Sequence, residues 1–131
     1  DVMKQQVDAS DIWAQPEHGQ FPSMRFAPDP ADVARAAQRL IGARAPVIIC
    51  GGGVVIAGAS GALQALAETL KAAVCVTVSG QGSLADTHPL NAGVVGSNGG
   101  VMATRDVVAA ADVVLFVGCR AGSTSTEHWR F

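Results

Sequence analysis

The stretch Pro46-Val47-Ile48-Ile49-Cys50-Gly51-Gly52-Gly53 decides the fold. Its unbroken apolar run, rich in β-branched residues and closed by glycine, fits a strand covered on both faces, as in a parallel sheet. Upstream, Asp29 is placed to cap a helix whose first position is Pro30. Val33, Ala36, Ala37, Leu40 and Ile41 then recur at helical spacing until Gly42 ends the run. Downstream, Gly51–Gly53 and Gly58 bracket a loop leading into a second helix over about 60–72, where Leu63, Leu66, Ala67 and Leu70 form one apolar stripe. Val74–Val78 reads as the second strand, and a loop rich in Gly, Ser and Asn runs from Ser79 to Gly100. A helix over about 101–111 and a strand Val113–Val117 follow, before a polar and then aromatic tail, Gly118–Phe131.

This alternation predicts an α/β domain with a three-layer parallel sheet and right-handed crossovers. In such sheets ligands bind outside the carboxyl ends of the strands. Gly51–Gly53, Ser79–Ser83 and Gly118–Ser123 are therefore expected to cluster along one rim. Three strands are few for an open sheet, so the domain over 29–131 reads as incomplete, truncated at its C-terminus. Residues 1–28, with Pro16, Pro22 and Pro28 and no steady apolar period, read as an interdomain linker or arm. Trp13, Phe21 and Phe26 are expected to pack that arm onto a surface.

Composition narrows the function classes. Of 131 residues, 49% are hydrophobic and 15% charged, which fits a folded globular chain and not a disordered one. A formal charge of -2 gives no basis for binding nucleic acid or an anionic membrane surface. No apolar run approaches the roughly 20 residues of a membrane span, and no signal peptide is visible. Cys50, Cys75 and Cys119 sit in or just after apolar runs, where they are expected to act as small buried hydrophobes. An odd cysteine count without paired spacing fits a reducing, cytoplasmic location.

The glycine loop admits several chemistries. Glycine at a strand's end lets backbone N–H groups approach a phosphate; it also simply turns a chain tightly. A P-loop needs lysine where Ala59 stands. The dinucleotide fingerprint needs glycine where Ile56 stands, and an acid near the end of the second strand, where Ser79 follows Val78. No nucleophile elbow surrounds Ser60 or Ser97, and His18, His88 and His128 lack metal-ligand spacing. His88 reads as a loop residue, and Asp86 and Glu127 as solvated loop charges, so no catalytic and no metal residue is assigned. Arg120, just past a buried strand, could grip a phosphate or carboxylate or simply form a surface ion pair.

Together these stretches resemble the central domain of thiamine-diphosphate-dependent enzymes of the acetolactate synthase kind. The resemblance runs from Pro46–Gly53 through Val76-Thr77-Val78-Ser79-Gly80-Gln81-Gly82, Asp86–Leu90 and Gly93–Gly96 with Gly99, and closes on Ala111–Arg120. Asp1-Val2 is similar to the end of a preceding pyrimidine-binding domain. The resemblance implies a Rossmann-like domain of the DHS-like NAD/FAD-binding kind. The parent enzyme would be a homo-oligomer that cleaves or ligates 2-oxo acids with thiamine diphosphate and Mg²⁺. It also implies that the catalytic glutamate and the metal motif lie in other domains of the parent chain, leaving this chain inactive alone. Relatives bind FAD, ADP or nothing in this domain. Matching positions are Gly51, Gly52, Gly53, Thr77, Gly96, Ser97, Asn98, Gly99 and Arg120. Flavin-binding relatives often show His where Asn98 stands and an acidic pair where this chain has Ala121-Gly122-Ser123. A stand-alone nucleotide-binding module and a scaffold with an empty site remain as alternatives.

Overall fold

The computed structural model describes residues 2–20 and 22–130. Asp1, Phe21 and Phe131, each of which carried an expectation above, lie outside the described residues.

The founding strand, β1, is Pro46–Cys50, and all five of its residues are buried. It is central because its apolar side chains can be covered on both faces only inside a sheet flanked by two layers. On one side it pairs in parallel with β2 (Ala73–Val76), aligning Ile49 with Cys75. On the other it pairs in parallel with β4 (Val113–Val117), aligning Ile48 with Leu115. A further strand, β3 (Asn91–Val94), pairs with β2, giving the order β3-β2-β1-β4. The parallel α/β architecture is as the sequence predicts, with four strands instead of three.

The extra strand lies inside the segment read as a loop. Asn-Ala-Gly-Val carries no β-branched run, Gly93 has a positive φ of 96°, and the pairing slips between Val74 and Cys75. β2 also closes two residues early, because Val78–Gly80 winds into a tight 3₁₀ turn.

The helices follow their caps. In α1 (Pro30–Ile41) the Asp29 side chain accepts from the Ala31 N–H at 2.7 Å, and Gly42 ends the helix. Its apolar stripe is mostly uncovered: Leu40 is buried, whereas Val33 and Ile41 are exposed. A short helix, α2 (Gly52–Ile56), occupies part of the expected loop, and α3 (Ser60–Leu70) follows it. The α3 stripe packs as its spacing requires, Leu63 and Ala67 fully buried and Leu66 and Leu70 against the same core. That core joins Ile48, Cys50, Val74 and Val76 on one sheet face. The opposite face joins Val47, Ile49, Cys75 and Val95 with Val108 of α4 (Met102–Ala109). The two cores are the two faces of one sheet, as alternation along each strand dictates.

The arm does not pack as its aromatic residues suggest. Trp13 is 77% exposed and Phe26 83%, and the arm forms three isolated 3₁₀ turns. A long-range bond ties it down where the Arg25 guanidinium donates to the Ala57 carbonyl at 3.4 Å. Among the described residues no helix is long and apolar enough to cross a membrane.

Candidate functional site

The carboxyl ends of β1, β2 and β4 open into one cavity of about 680 Å³, within the roughly 300–1,000 Å³ usual for small-molecule and cofactor sites. Of the rim expected from strand topology, Gly51–Gly53, Ser79 and most of Gly118–Ser123 line the cavity, whereas Gly80–Ser83 do not, Ser83 being fully buried. The cavity floor is the glycine turn after β1. Gly51 donates its N–H to the Val117 carbonyl and Gly53 to the Gly118 carbonyl, both at 2.9 Å. A Cβ at Gly51 would sit 2.4 Å from the Gly118 oxygen, and one at Gly53 would sit 2.8 Å from the Gly118 Cα. These two glycines let the ends of β1 and β4 touch backbone to backbone, and their N–H groups already serve that contact.

Of the residues anticipated from sequence, Gly51, Gly52, Gly53, Thr77, Asn98 and Arg120 line the cavity. Gly96, Ser97 and Gly99 do not. Gly96 has φ 107°, and a Cβ there would meet the Thr124 carbonyl oxygen at 2.5 Å. Ser97 donates its N–H to that same oxygen at 2.9 Å, so Gly96 and Ser97 hold the tail in place and the tail forms the wall. Gly99 lies exposed nearby, its closest side-chain neighbours being Val94 and Val78. Sequence reasoning missed the apolar side of the cavity, Ile56, Val78 and Val95. It also stopped short of Thr124 and Ser125, which lie in line with the flagged Gly118–Ser123. The signal for the apolar side was weak because Ile56 ends a five-residue helix too short to show a period, and Val78 reads as the end of a strand but sits in the 3₁₀ turn after it.

The electrostatics are simple. Arg120 is the charged residue of the cavity lining, and no carboxylate lines it. Arg120 is exposed and forms no ion pair with any described residue, so the surface-ion-pair alternative for it is not seen. Thr77 is only 8% exposed and lines the cavity, yet its hydroxyl makes no hydrogen bond to a described residue. Such a group is satisfied by a ligand or by water. Cys119 is half-buried here and its sulfur accepts the Ala121 N–H at 3.3 Å. Cys50 and Cys75 are buried as expected, and burial pushes both thiols up, Cys75 to about 11, so neither is a ready nucleophile.

Several further polar residues brace the fold. His88 bridges to Glu68 on α3 at 3.2 Å, while its Nδ1 accepts the Leu90 N–H. Glu127, read as a solvated charge, instead pairs with Arg105. Ser123 and His128 share a hydrogen bond of 2.8 Å that braces the tail. Among the described residues no three His, Cys, Asp or Glu side chains converge to hold a metal ion.

Strand order and rim together define a doubly wound domain with a ligand cavity at its carboxyl edge. Residues 33–131 match the family described as the central domain of thiamine pyrophosphate enzymes, and the chain belongs to that family. It is 39% identical over 102 residues to a protein of Methanocaldococcus jannaschii named as an acetolactate synthase large subunit, covering 78% of this chain and 17% of that one. It is 44% identical over 102 residues, with the same coverage, to the sulfoacetaldehyde acetyltransferase of Rhodobacter capsulatus. A solved structure from Mycobacterium smegmatis, assigned to the thiamin diphosphate-dependent enzymes, superposes with a TM-score of 0.60 at 33% identity, covering 71% of this chain and 18% of that one. The chain thus spans less than a fifth of the length of these relatives.

Proposed function

We propose that this chain is the scaffold domain of a thiamine-diphosphate-dependent lyase or carboligase acting on 2-oxo acids, in the manner of acetolactate synthase, and that its rim binds FAD or ADP. The observation that carries the nucleotide part is the cavity at the strand ends, with the unpaired Arg120 and the Thr77 hydroxyl, unbonded and open to the cavity, in its wall. Arg120 supplies the charge complement of a diphosphate. Ile56, Val78 and Val95 offer an apolar surface for a flat base. The residues present fit an adenine nucleotide. They do not fit the parent enzyme's other groups: nothing among the described residues offers a ligand set for Mg²⁺, so thiamine diphosphate and Mg²⁺ are assigned no residue here. We assign the catalytic chemistry to other domains of the parent chain, within a cytoplasmic homo-oligomer.

A second reading has one specific support. The N–H groups of Gly51 and Gly53 are already bonded to β4's end, as in a scaffold whose glycines serve packing alone. Calorimetric titration of the chain with FAD, ADP and NAD in parallel separates the two. The nucleotide reading expects FAD or ADP to bind and NAD not to. It also expects Arg120→Ala to weaken binding by about 1–3 kcal/mol, the scale of a charged hydrogen bond. Silence from all three ligands, with circular dichroism showing a folded chain, supports the scaffold reading. Binding of NAD alone supports an independent dinucleotide module.

A further inference from the structure

We infer that Cys119 is a thiol-modification site for a small, carboxylate-bearing disulfide, and that the mixed disulfide formed there excludes a nucleotide from the rim; the exclusion rests on the nucleotide reading. Cys50 and Cys75 are 0% exposed inside the sheet, whereas Cys119 is half-buried in the cavity lining at the end of β4. Its side chain belongs to neither hydrophobic core. The sulfur accepts the Ala121 N–H at 3.3 Å and stands 3.7 Å from the hydroxyl of Ser125, another residue of the cavity wall.

The space beside the sulfur holds a second group that lacks a partner. Thr77 lies across the end of β1 from Cys119: its N–H donates to the Cys50 carbonyl at 2.8 Å, while a Cβ at Gly51 would sit 2.8 Å from the Cys119 Cα. Thr77 and Cys119 thus flank one strand end from its two neighbours, two strand spacings or roughly 10 Å apart. Thr77 is only 8% exposed, and its hydroxyl, open to the cavity, bonds to no described residue. A group of tripeptide size attached to Cys119 reaches that hydroxyl. Arg120, the charged residue of the lining, meets the carboxylate of such a group. A nucleotide's diphosphate needs the same cation and the same space, so the two occupants compete.

The chemistry is thiol–disulfide exchange. The Cys119 thiol gives its proton to solvent, and its sulfur attacks one sulfur of the disulfide. That S–S bond breaks as the new one forms, and the departing thiolate takes up a proton. The protein thiol is oxidised, half of the disulfide is reduced, and no further oxidant is needed.

The test is incubation of the folded chain with glutathione disulfide, with and without saturating ADP, read by peptide mass spectrometry at each cysteine. Calorimetric titration of the modified chain with ADP follows. Cys119 is expected to react at least about tenfold faster than Cys50 or Cys75, which are reached only when the sheet opens. ADP is expected to slow that reaction about tenfold or more, and modification to weaken ADP binding by a similar factor until dithiothreitol restores it. Cys119→Ser should take up no glutathione at that position, and disulfide treatment should no longer change its ADP affinity. Equal labelling of all the cysteines, or none at Cys119, in a chain that circular dichroism shows to be folded, would overturn the modification site. Equal ADP affinity of the modified and unmodified chains would overturn the exclusion. If ADP binds neither form while Cys119 alone is modified, the nucleotide reading fails and the exclusion with it, and the modification site stands.

Discussion

Gly118 holds a φ of 56°, and a Cβ there would meet the Val54 nitrogen at 2.6 Å and the Gly53 carbonyl carbon at 2.8 Å. Left-handed backbone and a collision with backbone atoms cannot both be relaxed by moving a side chain. Gly118→Ala should therefore destabilise the fold by at least about 2 kcal/mol, read by chemical denaturation. Gly61, in the first turn of α3, has no positive φ, and a Cβ there would meet nothing within 4 Å. At that position the same change should be neutral or stabilise by about 0.5 kcal/mol, through reduced unfolded-state entropy. If both variants unfold alike, the close approach of β1 and β4 is not what these glycines provide. The glycines were visible in the sequence as chain punctuation. Which of them face a ligand and which face another strand was not, since that depends on a neighbour more than 60 positions away.

At the scale of elements, the register of β1 against β4 is pinned by Asp112. Its carboxylate accepts the N–H of Arg44 at 2.7 Å and of Ala45 at 3.0 Å, just before β1 begins. Those two backbone donors hold its pKa below the ordinary carboxylate value. A lowered folded-state pKa adds stability that is complete above the unfolded value, about 4, and is lost as pH falls through the folded one. Asp112→Asn should accordingly lower the melting temperature at pH 7, and the gap from the wild type should narrow as pH drops below about 4. A gap that does not change with pH would contradict this origin. The sequence made β1, β4, α1 and α3 legible because each has a long, one-period apolar pattern bounded by Pro or Gly. It hid β3 and α2. Asn91–Val94 is a strand because β2 presents an open edge to it, and Gly52–Ile56 is a helix despite two leading glycines because Val54 buries into the core. In both cases tertiary contact overrides local propensity.

For the whole molecule, the topology puts β1 at the centre and brings three strand ends, with the segment after β3, to one edge. That convergence was readable from chain order alone, and it is where the candidate site stands. What chain order could not give is that the tail continues along the wall through Thr124 and Ser125, held by Gly96 and Ser97. The cavity at this edge lies within the residues that match the family. The most direct test of a site there is to record amide NMR spectra of the ¹⁵N-labelled chain while adding ADP. A nucleotide site on the rim should concentrate the shifts at Gly51–Gly53, Thr77–Ser79 and Gly118–Ser125, with α1 silent. Shifts centred on α1 or the N-terminal arm, or none at saturating ADP in a folded sample, would contradict it.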